Sequence, residues 1–307
     1  MHILLSVDKN YLMPLGTTMV SIMENNKNED VIFHIANIGF DKEQKQIISD
    51  LVARYNKTIQ FYDITKNIFE KLPKVHGYLS NATYTRLFLT EFLPQHIDKL
   101  IYLDCDIIVN GPLSDLWDTD IDNHPVAVVL DSYSFNVEHY NRLQYPMNHG
   151  YFNAGMMLIN VDYWRKYHVM QKCLDFCVKH PERIAFEDQD IMNYVFNENK
   201  LLLPLKYNAI CTVFYSKRQY PYEMWHQLED AVKNPVIIHY TYIKPWFKES
   251  VHPLDYIFFR YLALTPWKGM PLKYFYKGWQ KYKFIINSWM WRHGIKKRYS
   301  AYLELGN

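Results

Sequence analysis

The chain has 307 residues and a mass of 37.0 kDa, with 49% hydrophobic, 21% charged and 17% aromatic residues and a formal charge of +2. These fractions exclude a disordered or low-complexity protein and suit one large core, or one core with an appendage. No apolar run approaches the roughly 20 residues of a membrane-spanning helix, and Met1 to Asp8 lacks the basic region and cleavage site of a secretory signal.

Short apolar strands alternate with helical patterns. Ile3 to Val7 reads as a strand, Pro14 to Glu24 as a helix with proline near its first turn, and Val31 to Ile35 as a strand. Asp41 to Tyr55 reads as a helix with Ile47, Leu51 and Tyr55 on one face, and Thr58 to Tyr62 as a strand. Tyr84 to Phe92 is helical, and Lys99 to Leu103 is a buried strand. Val126 to Leu130 and Ala154 to Val161 are further strands. Asp162 is expected to cap a helix running to about Lys179, Asp188 to Phe196 to form another, and Pro235 to His239 to be the last strand. This order predicts an α/β domain with a mostly parallel central sheet flanked by helices. Four scattered cysteines, 105, 173, 177 and 211, are too sparse for a disulfide framework and point to a reducing compartment.

Charge is unevenly distributed. Residues 267–307 carry nine Lys or Arg and one acid, Glu304, so the remainder of the chain is net acidic. Phe275, Trp279, Tyr282, Ile286 and Trp289 repeat at spacings of four and three, with Lys273, Lys277, Lys281 and Lys283 off that face and Lys296, Lys297 and Arg298 beyond it. An aromatic face flanked by bases suits an anionic membrane surface, and residues 267–300 are the expected contact. The competing reading packs those aromatics onto the domain. The acidic body argues against a nucleic-acid partner.

Chemistry is concentrated in five places. Leu103-Asp104-Cys105-Asp106 ends an apolar strand in Asp-x-Asp. Strand periodicity would turn Asp104 and Asp106 to one side and Cys105 to the other. Two adjacent carboxylates at the carboxyl end of a sheet call for a hard divalent cation such as Mn²⁺ or Mg²⁺. The same triplet recurs at 118/120, 120/122 and 188/190, but only Asp104 and Asp106 follow a buried strand. His239 ends another apolar strand and is a suitable third ligand. Lys244 follows it and would neutralise phosphate charge. Ser6, Asp8, Asn10 and Tyr11 after the first strand offer hydrogen-bonding groups and an aromatic plane for a base. The remaining two are Tyr151-Phe152-Asn153-Ala154-Gly155 and Phe186-Glu187-Asp188-Gln189-Asp190. No phosphate-binding glycine motif is present.

Together Asp8-x-Asn10-Tyr11, Tyr84-x-Arg86-Leu87, Leu103-Asp104-x-Asp106, Phe152-Asn153-Ala154-Gly155, Asp188-Gln189-Asp190 and His239-Tyr240 with Lys244-Pro245-Trp246 resemble glycosyltransferase family 8. The resemblance covers about residues 1–250 and is nearest to bacterial lipooligosaccharide α-galactosyltransferases and their glucosyltransferase relatives. It implies a GT-A fold over 1–250 and a basic, aromatic, membrane-associating helical tail over 251–307. The implied activity is Mn²⁺-dependent, retaining transfer of galactose or glucose from a UDP-sugar to a glycan or glycolipid, at the cytoplasmic face of the membrane. Mg²⁺ is an alternative ion. A UDP-sugar hydrolase, or an inactive sugar- or membrane-binding relative, is the alternative function.

The resemblance carries roles to matching positions: Asp104, Asp106 and His239 to the metal, and Ser6, Asp8, Asn10, Tyr11 and Lys244 to the nucleotide. Arg86, Asp104, Asn153, Ala154, Asp188 and Gln189 fall to the donor sugar, with Gln189, Asp188 and Asp131 at the reaction centre. Gln189 is the residue under the sugar, but a neutral amide is a poor nucleophile. Attack from the leaving-group face is therefore expected, with Asp188 the fallback nucleophile. The chain departs from the family where relatives carry a glycine in the run after the histidine. Here the run is one residue shorter and has Tyr242 in that place.

Overall fold

The computed structural model describes residues 1–65, 84–296 and 302. Ten strands are present among these: β1 (His2–Asp8), β2 (Ile32–Ile38), β3 (Thr58–Asp63), β4 (Lys99–Leu103), β5 (Ile107–Val109), β6 (Val126–Leu130), β7 (Phe152–Asn160), β8 (Leu201–Leu202), β9 (Ala209–Ile210) and β10 (Ile237–His239). Seven form a sheet in the order β3-β2-β1-β4-β7-β6-β8, and the other three form a small sheet in the order β5-β10-β9. The large sheet is parallel except around β7, which runs antiparallel to both β4 and β6. Reversing one strand brings the Asn153-Ala154-Gly155 end of β7 beside the carboxyl end of β4, where Asp104 N donates to Gly155 O at 2.8 Å.

Central strands read as unbroken apolar runs because both faces are covered. Ile3, Leu5 and Val7 of β1 join the core on one side, and Leu4 joins the core on the other. Helix α1 (Leu12–Asn25) lies on the first side, with Pro14 in its first turn. It is buried along nearly its whole length because the helix Asp255–Leu262 packs on it. Helix α2 (Lys42–Ala53) opens with a capping box between Asp41 and Gln44. The helices Val161–Lys166, Val169–Lys179 and Glu187–Val195 cover the second side.

Two expectations are corrected here. The helix after β7 is capped by Asn160, whose side chain accepts from Tyr163 N at 2.8 Å, and not by Asp162. That helix also does not run unbroken to Lys179, because His168 adopts left-handed backbone (φ 50°) and starts a new one. The four cysteines are free and buried.

Residues 267–276 are fastened to the domain ahead of an exposed helix, and Tyr302 beyond that helix is buried and bridges Tyr215. Trp267 lies so close to Gly16 of α1 that a Cβ at Gly16 would overlap its ring. Phe247 and Lys273 form a parallel bridge, and the buried Glu249 carboxylate accepts from Phe275 N at 2.8 Å and Tyr276 N at 3.4 Å. Helix Gly278–Arg292 then buries none of its residues; Trp279 is 75% exposed, Tyr282 60% and Trp289 54%. Phe275 precedes this helix rather than sharing its face. Lys297 and Arg298 lie outside the described residues. No helix among the described residues is long and apolar enough to cross a membrane.

Candidate active site

A cavity of about 510 Å³ opens at the carboxyl ends of β1 and β4, where open α/β sheets carry ligands. Ser6, Asp8, Tyr11, Arg86, Asp104, Asp106, Asn153, Ala154, Asp188 and Gln189 line it. Asn10, Asp131, His239 and Lys244 stand just outside that lining and reach it through neighbours. Asn10 donates its N–H to Asp8 Oδ1 at 2.7 Å, and Asp131 holds Asn153 from behind at 3.1 Å.

The acidic turn is positioned by α1. Thr18 Oγ1 donates to Cys105 O at 3.0 Å and to Ile107 O at 2.7 Å, and Ser21 Oγ accepts from Val109 N at 2.9 Å. These buried hydroxyls hold a turn between β4 and β5, so Asp104 and Asp106 converge as turn residues, not strand residues. Strand alternation therefore does not apply to Cys105, which lines the same cavity with its Sγ 3.5 Å from Ser6 O. Burial pushes its thiol pKa well up, leaving an unreactive thiol.

Register supplies the third group. β10 pairs antiparallel with β5, setting His239 opposite Ile107, and Tyr240 N donates to Asp106 O at 3.1 Å. His239 Nε2 then lies 3.2 Å from Asp106 Oδ1 and 3.9 Å from Asp104 Oδ2. Ligand atoms of Asp104, Asp106 and His239 all fall within 4.8 Å of one another. A Cβ at Gly155 would overlap His239 Cε1 and lie 2.7 Å from Asp104 Oδ2, so this approach requires glycine there. Two carboxylates and an imidazole aimed at one point fit a hard divalent cation.

Cationic side chains balance the rest. Arg86 is buried and donates to Asp104 Oδ1 at 2.7 Å and Ala154 O at 2.7 Å; its Nε lies 3.0 Å from Asp188 Oδ2. Burial opposes its charge, but Asp104 and Asp188 outweigh burial and hold the guanidinium pKa above its usual value. Burial pushes the Asp188 carboxyl up to about 7, against the pull of Arg86. Lys244 Nζ donates to Asp106 Oδ2 and to Tyr240 O. Burial would raise Asp106, yet Lys244 and His239 hold its carboxyl well below the usual carboxylate range. Tyr242 has no left-handed backbone and is 60% exposed, so the shortened run reaches Lys244 without a glycine.

The amides beside the sheet edge are interlocked. Gln189 Oε1 accepts from Ala154 N at 3.1 Å and Asn153 Nδ2 at 3.2 Å. Asn153 Oδ1 accepts from Gly155 N at 3.1 Å and Asn208 Nδ2 at 2.9 Å, and Asn208 Oδ1 faces His239 Nδ1 at 3.0 Å. Sequence reasoning missed Asn208, which sits 55 residues from Asn153 and 31 from His239 and belongs to no local pattern. Asp118, Asp120 and Asp122 are exposed and far from this cluster in the fold.

The model of the family described as Glycosyl transferase family 8 matches residues 2–250. A lipopolysaccharide 1,2-glucosyltransferase of Escherichia coli is 30% identical over 287 residues, covering 91% of this chain and 84% of that protein. General stress protein A of Bacillus subtilis (strain 168) is 28% identical over 274 residues, covering 87% of this chain and 94% of that protein. The crystal structure of the galactosyltransferase LgtC with donor and acceptor sugar analogs superposes with a TM-score of 0.79 at 23% identity, over 87% of this chain and 96% of that one.

Proposed function

This chain belongs to glycosyltransferase family 8 and is a glycosyltransferase with a GT-A fold, and we propose that it moves galactose or glucose from a UDP-sugar to a hydroxyl of a cell-surface glycan or glycolipid, with retention at the anomeric carbon. The observation that carries this reading is the convergence of Asp104, Asp106 and His239 at a cavity edge where only glycine fits at position 155. These three residues would hold Mn²⁺, or Mg²⁺ in its place. When bound, such an ion supplies positive charge to the departing diphosphate.

The chain's own groups do the rest. Ser6, Asp8, Asn10 and Tyr11 receive the uridine, and Lys244 turns from Asp106 to the diphosphate. Arg86, Asn153, Ala154, Asp188 and Gln189 hold the hexose. The acceptor oxygen attacks the anomeric carbon from the face that the diphosphate leaves. The bond to the diphosphate oxygen breaks, and that oxygen takes the acceptor's proton. Gln189 is unsuited to act as nucleophile: its Oε1 is already engaged by two N–H donors, and a neutral amide attacks poorly. Asp131 stands at the reaction centre, where it accepts from Asn153 Nδ2 and braces that residue. Residues 1–250 carry the catalytic groups; of residues 251–307, the helix Asp255–Leu262 packs into the same core, and Gly278–Arg292 is the exposed part that would meet the membrane.

The names of the Escherichia coli relatives support a lipid-linked glycan as acceptor. The exposed aromatic face of Gly278–Arg292 supports docking at the cytoplasmic surface of an anionic membrane. UDP release from a panel of UDP-sugars, with and without Mn²⁺, tests the reading. Metal-dependent release from one UDP-hexose, rising with a glycan acceptor and lost in Asp104→Asn and Asp106→Asn, is expected. Release at the same rate without any acceptor would instead identify a hydrolase.

A further inference from the structure

We propose that a small apolar pocket beside the catalytic cavity takes the end of an acyl chain from an anionic phospholipid of the bilayer, with Lys273 at its mouth for the lipid phosphate. The inference deepens the membrane-docking reading above and rests on it for the source of the lipid.

The pocket measures about 80 Å³ and lies between the first turn of α1, the helix Asp255–Leu262 and residues 270–273. Pro14, Trp246 and Leu262 are buried in its lining, while Met270 and Leu272 stay 39% and 38% exposed at its mouth. Lys273, also exposed, is the one charged side chain among the described residues that line it. Apolar walls, a single base and no acid suit an anionic amphiphile. They disfavour a sugar or a nucleotide, whose polar groups would lose water and find almost no partner there.

The mouth is fixed by the fold. Lys273 N donates to Trp246 O at 3.1 Å, Lys248 N donates to Lys273 O at 2.9 Å, and Met270 N donates to Trp267 O at 3.1 Å. Six residues separate Leu272 from Gly278, so the mouth lies within about 20 Å of the exposed aromatic helix. Residues 263–283 carry five lysines and no acid, so the charge around the mouth complements an anionic headgroup. Exposed apolar side chains joined to such a basic stretch mark a membrane-facing surface. On the inner side, Tyr11 lines both this pocket and the catalytic cavity, with its ring edge-on to Trp246 at 5.8 Å. A chain seated here would anchor the molecule directly beside the place where the UDP-sugar is received.

The test titrates dihexanoyl phosphatidylglycerol, below its micelle concentration, into the whole chain by isothermal calorimetry, so that no bilayer is needed. Glycerophosphoglycerol, the same headgroup without chains, and dihexanoyl phosphatidylcholine are the comparisons. The volume is about half of the 150 Å³ that holds a six-carbon ring, which leaves room for about three carbons. Each buried methylene is worth about fourfold in affinity, so the lipid should bind about 50-fold more tightly than its headgroup alone. One lysine near the phosphate should favour phosphatidylglycerol over phosphatidylcholine by about fivefold. Leu272→Asp sets a charge in the mouth and should weaken phosphatidylglycerol by about tenfold or more with an unchanged melt. No binding of phosphatidylglycerol, equal binding of the bare headgroup, or full affinity in folded Leu272→Asp would overturn the pocket. If Leu272→Asp does not fold, Met270→Asp is held to the same limit. Equal binding of the two lipids would overturn the role of Lys273. Wild type that binds the monomeric lipid but does not pellet with anionic liposomes would overturn the membrane reading and leave the pocket standing.

Discussion

Replacing Gly155 by alanine adds one methyl group at the most crowded point of the site. The new Cβ would overlap His239 Cε1 and stand 2.7 Å from Asp104 Oδ2 and 2.9 Å from His239 Nδ1. Ordinary carbon contacts begin near 3.5 Å, so the imidazole must retreat by about 1 Å or more. It cannot retreat freely, because Asn208 holds Nδ1 and β10 holds the backbone. A displacement of that size costs roughly 100-fold in rate when it disturbs a catalytic constellation. Overpacking at one buried site costs about 1–3 kcal/mol of stability, which leaves the fold standing. The assay is Mn²⁺-dependent UDP release, paired with a thermal melt. Gly111→Ala is the control, since its Cβ meets nothing nearer than 3.6 Å and should leave both readouts within error. Gly155→Ala retaining turnover within fivefold of wild type, while folded, would refute the placement of His239 in the reacting site.

Other outcomes follow from the same geometry. Arg86→Ala strands the buried Asp188 carboxylate and half of Asp104, and should lower stability by about 3–5 kcal/mol in a denaturant titration. Gln189→Ala should keep turnover within about tenfold of wild type, which removes Gln189 as a covalent participant; a glycosyl adduct on Gln189 in the mass spectrum of wild type quenched during turnover would restore it. Burial holds His252 down at about 3 and His34 down at about 4, so each stays neutral in the folded chain while the unfolded chain protonates below about 6.5. The stability each contributes is full above that value and is lost as pH falls, by about 2 kcal/mol per group at pH 5. His252→Phe should therefore flatten the fall in melting temperature between pH 7 and 5, and an unchanged slope would count against the assignment. Replacing Trp279, Tyr282 and Trp289 together by serine should abolish pelleting with anionic liposomes and spare turnover on a soluble acceptor.

The elements were legible wherever one physical demand governed them. Leu4 and Tyr102 sit in fully covered strands, and their apolar runs announce that burial. Asp104 and Asp106 stood out from three similar triplets because a buried strand delivers them to a sheet edge. What stayed hidden depends on partners far away in the chain. The reversal of β7 is set by its pairing with β4 and β6, which no local pattern encodes. Thr18 and Ser21 look like ordinary helix residues until their hydroxyls meet the acidic turn. The strand argument for Cys105 failed because the chain has already left the strand at Asp104. Asn208 carries no signal at all until Asn153 and His239 bracket it.

The fastening of residues 267–276 has a consequence for which acceptors can be used. The bridge between Phe247 and Lys273, with Glu249 clasping the backbone N–H groups of Phe275 and Tyr276, ties the root of the exposed helix to the loop that carries Lys244. Under the proposed docking the tail is then a ruler and not a leash. It sets the pocket at one height above the bilayer, and a growing glycan would present its terminal hydroxyl at that height for only one length. Reach would select the acceptor alongside recognition, and a sugar chain shorter or longer by one unit would be passed over even with the right terminal residue.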